Sequence, residues 1–227
     1  MIKQFYITIF FAIISTNLFS QNFESVDINK IKAEITDENS DYFYPKLFER
    51  YSENDTTLTL DEFRRLYYGH ALQPYYNPNI SRTDDSARTL KDLLRNRSND
   101  FGRLNNLCKF VLRLDPFWID ALYILSISSE MLGDLETSEY AVYKHTMLLR
   151  TILQSGDGRS YQSAFTILSI SDEYSLLNAL GLKFKEQALM HNDGKPYDYL
   201  AVEPDDELEI EGLYFNIELF FGKGLSK

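Results

Sequence analysis

Between Asp115 and Leu153 apolar residues return at helical spacing in two runs, Trp118, Leu122, Leu125, Leu132 and then Leu135, Val142, Leu149, Leu153, on either side of Gly133-Asp134. The pattern predicts two antiparallel helices joined by a tight turn, with Gly133 where the first must stop. Pro116 falls in an opening turn, where its missing N–H costs nothing. Neither helix can bury its stripe alone, so the hairpin implies packed neighbours before and after it. Trp118, the only tryptophan, is expected to anchor this centre.

Upstream, Val26, Ile28, Ile31 and Ile35 predict a short amphipathic helix, and DYFYPKLFERY predicts a second, with Pro45 in its first turn and Phe43, Leu47 and Tyr51 on one side. In LTLDEFRRLYYGHALQPYYNPN, Thr59 is placed as an N-cap and Glu62 closes a capping box, while Leu58 and Phe63 occupy the two positions of a hydrophobic staple. A helix therefore starts at Leu60 and runs to Tyr68 or His70. Gln73-Pro74 and Asn77-Pro78-Asn79 then force an extended, turning loop.

SARTLKDLLRN and FGRLNNLCKFVLRL predict two further helices. Asn99-Asp100-Phe101 precedes Gly133-Asp134-Leu135 by 34 residues, which is the period of tetratricopeptide repeats. Leu114-Asp115-Pro116 resembles the usual close of such a repeat, so residues 85–118 and 119–152 read as two units. The first is degenerate at Arg88 and Lys91, and His145 stands where the second would prefer alanine. The helices of residues 24–71 and the C-terminal segment are expected to cap the pair.

Beyond Gln154 the period changes. SAFTILSIS suits a strand buried on both faces, and SDEYSLLNALG a short helix with Ser171 as N-cap, acids in its first turn and Gly181 as its stop. LKFKEQALM, YDYLAVE and IEGLYFNIELFF follow as strands, the last alternating through Leu213, Phe215, Ile217, Leu219 and Phe221. The predicted fold is α+β: N-terminal and central antiparallel helix pairs, tetratricopeptide-like, then a C-terminal antiparallel sheet of about four strands with one short helix.

Several of these blocks occur together and in order. LTLDEFRRLYYGHALQPYYNP, SGDGRS, AFTILSISDEYSLLNALG, YDYL and LYFNI resemble the domain-of-unknown-function 4919 family of exported bacterial proteins, over about Tyr42 to Phe221. The resemblance implies a secreted or periplasmic location and a single conjoined α+β unit (residues 24–154 helical, 160–222 mainly β). It brings no catalytic residue with it.

The first twenty residues, MIKQFYITIFFAIISTNLFS, carry one charge at Lys3, an apolar run from Ile7 to Ile14 and a polar, small-residue ending, the layout of a secretory signal. The run is shorter than the ~20 residues a spanning helix needs, so no membrane span is expected after cleavage. Losing Lys3 takes the net charge from −11 to −12, which disfavours nucleic acid as a partner. Cys108 is the single cysteine and lies on a stripe with Leu104, Leu107 and Val111, so a buried, inert thiol is expected rather than a nucleophile.

No metal-ligand cluster, phosphate loop, dinucleotide or nucleophile motif is present, and neither a cofactor nor a catalytic set is assigned. Ser155-Gly156-Asp157-Gly158-Arg159-Ser160 has the glycines of an anion nest but follows a helix C-terminus, so it reads as a cap and turn. Asp172 and Glu173 fit a helix's first turn on dipole grounds alone. His145 is expected as a core imidazole, and His191 in a solvated hairpin turn. The candidate binding residues are Tyr67, Tyr68, His70, Gln73, Tyr75, Tyr76 and Asn77, because tyrosine offers a broad apolar face with a polar tip. Tyr67 is expected in the core, and Tyr75 or Tyr76 at the surface.

The leading functional expectation is an exported interaction module whose helix pairs present a surface to a protein or peptide. The alternative is a small-molecule or glycan enzyme using His70 or the Asp172-Glu173 pair in a cleft between helices and sheet. Mass spectrometry of the exported protein should find its N-terminus at Gln21 or Asn22; a retained Met1 with membrane association would end the signal assignment.

Overall fold

A computed structural model describes residues 23–205 and 210–223; the predicted signal lies outside them. The described residues divide into two compact units, one of 27–151 with 222 and 223, the other of 152–205 and 210–221 with 23–26.

The first unit is helical. α1 (Ile28–Thr36) is capped by Asp27, whose carboxylate accepts from the N–H groups of Asn29 and Lys30 at 3.0 and 2.9 Å. α2 (Tyr44–Ser52) opens with Pro45 in its first turn. α3 (Leu60–His70) has the predicted capping box of Thr59 and Glu62, and both staple residues, Leu58 and Phe63, are buried. Glu62 also pairs with Arg50 of α2. Gly69 lets α3 approach its neighbours, since a Cβ there would stand 3.1 Å from both Ile35 and Tyr44.

After a one-turn helix α4 (Ile80–Thr83) come α5 (Asp85–Arg95), α6 (Phe101–Leu114), α7 (Ile119–Leu132) and α8 (Leu135–Leu153). From the start of α5 to that of α7, and from α6 to α8, the offset is 34 residues, the predicted repeat phase. The turns inside the two pairs are built alike: Asp100 accepts from the Arg103 N–H at 3.0 Å, and Asp134 from the Thr137 N–H at 3.1 Å. Gly133 takes the left-handed conformation (φ 83°) that ends α7.

Ala87, Leu90, Leu104, Cys108, Val111, Trp118, Ala121, Leu125 and Ala141 form one core through α5–α8. The stripe predicted for α8 holds at Leu149, which is buried, but not in the first half of the helix. Leu135 and Val142 are half exposed, and the buried side is Thr137, Ala141, Lys144, Leu148 and Ile152. Leu132 of α7 is exposed too. α8 has apolar residues on several faces, so spacing alone fitted more than one stripe.

In the second unit β1 (Phe165–Thr166), α9 (Ile170–Ala179), β2 (Phe184–Asn192), β3 (Lys195–Asp205) and β4 (Ile210–Asn216) form a sheet of order β1-β4-β3-β2 with one helix. The β2–β3–β4 pairings are antiparallel as expected, but β1 pairs parallel to β4, Phe165 opposite Phe215, so the sheet is mixed. β1 stays short because the chain turns at once into α9. The N-cap is Ser169 and not Ser171: the Asp172 carboxylate accepts from the N–H groups of Leu168 and Ser169 at 3.1 and 3.0 Å. Asp193 (φ 50°) and Gly194 (φ 75°) turn the β2–β3 hairpin. The alternation of β4 holds for Leu213, Phe215 and Ile217, all buried, and stops where the strand does, leaving Phe221 exposed.

One sheet face buries Asp198, Leu200 and Val202 of β3 beside Phe215 and Leu213 of β4. The other carries Tyr197, Tyr199 and Tyr214, with Tyr161 packed against Tyr197 and Tyr214 at ring distances of 5.1 and 4.7 Å.

Trp118 is buried among the α5–α8 side chains, and its Nε1 has no acceptor among the described residues. Trp118→Ala should therefore cost about 3–5 kcal/mol in chemical denaturation by lost burial, and Trp118→Phe clearly less. A loss below about 1 kcal/mol for Trp118→Ala would show that the indole does not anchor this core.

Candidate functional site

α3 and the loop after it place the expected aromatic residues in two groups. Tyr67, Tyr68 and His70 are buried. The His70 ring lies 4.9 Å from Phe117, 5.4 Å from Tyr76 and 5.7 Å from Tyr75, and its Nδ1 is 3.4 Å from the Tyr44 hydroxyl. Desolvation pushes its pKa down to about 4, so the imidazole is neutral at physiological pH. Burial likewise raises the Tyr44 hydroxyl well above its ordinary value, and the neighbouring Tyr75 adds to the shift.

Gln73 turns inward, its amide donating to the Gly69 carbonyl at 2.9 Å. Tyr76 is half-buried beneath the Lys223 ammonium, which also donates to the Ala71 carbonyl. Tyr75, at 57% exposure, and Asn77 face solvent. The chain thus brings Tyr67, Tyr68, His70 and Gln73 together as packing, and leaves Tyr75 and Asn77 to meet anything from outside.

The other chemistry-bearing residues are also held in structural roles. Asp172 caps α9, as above. Glu173 is fully buried and accepts from the Gln187 amide at 3.2 Å, and the same amide donates to Asp198 at 2.9 Å. This link ties α9 to β2 and β3. In the Ser155–Ser160 turn the N–H groups of Asp157 and Gly158 donate to the Ser163 carbonyl at 3.0 and 2.8 Å. The glycine nest is thereby closed by the chain itself.

His145, half-buried, lies 5.4 Å from Tyr123, and burial lowers its pKa to about 4. Cys108 is buried and its thiol is pushed up to about 12, which makes it unreactive. His191 falls within β2, exposed, near Phe221.

A surface that the sequence reading did not single out lies on α7 and α8. Tyr123, Ile127 and Met131 follow one another at four-residue spacing along α7 and are 51%, 37% and 61% exposed. Leu135 and Val142, at 55% and 50%, continue it on α8, and the Tyr123–His145 contact joins the two helices along this face. The opposite side of α7 buries Ala121, Leu122, Leu125, Ser128 and Ser129, with Asn105 of α6 donating to the Ser129 hydroxyl at 2.7 Å. α7 is apolar on both sides, which one core cannot consume. That surplus was the signal in the sequence, where Leu132, Leu135 and Val142 read as core.

The chain belongs to the domain of unknown function (DUF4919) family. The family profile matches residues 29–223, most of the chain. No curated protein and no solved structure gives a match. Among the described residues no group of His, Cys, Asp or Glu side chains is placed to hold a metal ion, and no helix is long and apolar enough to cross a membrane.

Folded His70 titrates below the ordinary histidine value of 6.5, so the unfolded chain binds the proton first as pH falls. Its contribution is intact above about pH 6.5 and is lost between 6.5 and 4, by up to about 1.4 kcal/mol per pH unit, with His145 acting in the same direction. Urea denaturation at about pH 7.5 and about pH 5 should show this loss, and His70→Gln should reduce the difference between the two. An unchanged difference in the variant would mean that His70 titrates normally.

Proposed function

We propose that this protein is an exported interaction module that binds a protein or peptide through its tetratricopeptide-like helix pairs. The observation that carries the reading is the exposed apolar stripe of Tyr123, Ile127, Met131, Leu135 and Val142. Contiguous apolar surface of this kind is retained at a cost in solubility, and on a folded protein it marks a contact surface. The remaining polar chemistry supports it: a buried His70 held neutral, an unreactive thiol, and carboxylates committed to capping and to the Gln187 link. The exposed Tyr75 and Asn77 offer a smaller second contact on the same unit.

Both charges of the double variant Ile127→Asp/Met131→Asp fall on exposed positions, so the thermal midpoint should move little. Affinity capture from extracts of the source cells should lose its co-purifying protein with this variant and keep it with the wild type. Capture that ignores the variant would overturn the assignment of the contact to this face, and turnover in an activity screen would favour the enzyme alternative.

A further inference from the structure

β2 is an outer strand of the sheet, and its residues are exposed apart from the half-buried Met190 and Asn192. Which of its backbone groups face outward follows from the turn. Asp193-Gly194 is a two-residue loop, so Asn192 and Lys195 are the bonded pair that closes it. In the next pair, His191 with Pro196, the proline has no N–H and its carbonyl accepts from the Ile217 N–H at 3.4 Å, just past β4. Antiparallel pairs alternate, so His191, Leu189 and Gln187 direct their N–H and C=O groups away from β3. No strand lies on that side among the described residues. The register shift between Phe184 and Glu186 ends the regular run, with Lys185 at the bulge. From Gln187 to Asn192 the strand has no Asp, Glu, Lys or Arg, no proline and no bulge, the devices that usually blunt an edge.

Side chains along this edge are unfinished in the same way. Gln187 and Leu189 stand opposite Leu200 and Asp198 and so share the buried face of the sheet, yet Leu189 is 53% exposed. An added strand would extend that face over it, and the residues of β2 itself suit the place. In the antiparallel register centred on Leu189, Leu189 meets Leu189 of a second copy and Gln187 meets His191, in both directions. All three outward residues then find bonded partners, about six backbone hydrogen bonds in all. On the other face Met190 stands opposite Ala188, large against small. At each end Lys185 comes toward Asp193 of the second copy, opposite charges at two exposed positions. A chain of net charge −11 can self-associate only where carboxylates do not face each other, and this strand is such a place.

We propose that β2 pairs with β2 of a second copy across a two-fold axis, antiparallel and centred on Leu189, joining two four-stranded sheets into one. The contact is separate from the α7–α8 stripe and does not depend on it. Three bonded pairs make a small joint, so the dimer is reversible, with a Kd of about 10–100 µM.

Sedimentation velocity of the mature protein should show monomer at about 1 µM and mainly dimer at about 500 µM. Over the same range amide exchange at Gln187, Leu189 and His191 should slow, while that at Ala188 and Met190, already bonded to β3, should change little. Leu189→Lys sets two like charges on the axis and should leave monomer throughout, with the thermal midpoint little moved because the position is exposed. Under oxidation Leu189→Cys should give a disulfide-linked dimer, since Cα atoms of a bonded pair lie about 5.5 Å apart. Ala188→Cys should not, because Ala188 stands opposite Met190 and not opposite itself. Monomer at every concentration would overturn the proposal, and so would a Leu189→Cys protein that cross-links no better than Ala188→Cys. A dimer that survives Leu189→Lys but not Ile127→Asp/Met131→Asp would move the contact to the α7–α8 stripe. A monomer whose three outward amides slow only on adding cell extract would give the edge to a strand of another protein, overturning the second copy as its occupant.

Discussion

The helical unit depends on the burial of two adjacent rings, Phe117 and Trp118, in opposite directions. Phe117 packs at 4.9 Å from both Tyr51 and His70 and within 6.4 Å of Phe48 and Tyr67, which belong to α2 and α3. Trp118 enters the core formed by α5 to α8. The peptide between them therefore joins the N-terminal helices to the repeat pairs, and the Tyr51 hydroxyl holds the turn in place by donating to the Pro116 carbonyl at 2.7 Å. Close-packed interiors leave little room to shift either ring without the other.

Buried polar groups complete what the rings begin by fixing the rotation of α8. The Tyr143 hydroxyl donates to the Leu58 carbonyl, and Lys144 reaches Asn54, a residue with φ 63° just past the end of α2. Lys144 also lies over the rings of Tyr51 and Tyr140, at 4.3 and 5.2 Å. Desolvation lowers its pKa to about 8, so the ammonium is kept in a weakly polar site at some cost, offset by the amide oxygen and the two ring faces. Turning α8 to bury Leu135 and Val142 would break these contacts. The same contacts that satisfy Lys144 thus leave Leu135 and Val142 in water, and this is how a packing decision creates the exposed apolar stripe.

The sheet unit shows a related economy. Glu173 of α9 and Asp198 of β3 are both buried, and in exchange for water each accepts from the side-chain amide of Gln187, whose own amide oxygen accepts from the Tyr174 hydroxyl. What looked in the sequence like a pair of available acids is part of the connection between a helix and two strands.

Local rules were enough for much of this. The Thr59–Glu62 cap, the staple of Leu58 and Phe63, the Gly133-Asp134 turn, the repeat phase of α5 to α8 and the Asp193-Gly194 hairpin all follow from residues within a few positions of one another, where backbone hydrogen bonding and φ preferences decide the outcome. Family membership was legible for the same reason, since ordered short blocks survive without knowledge of contacts. Only tertiary structure decided which stripe of α8 faces inward, that His70 is enclosed by Tyr44, Tyr75, Tyr76 and Phe117, and that β1 runs parallel to β4. Those choices rest on partners far apart along the chain, and on the competition between burying one more leucine and satisfying one more polar group, which periodicity does not weigh.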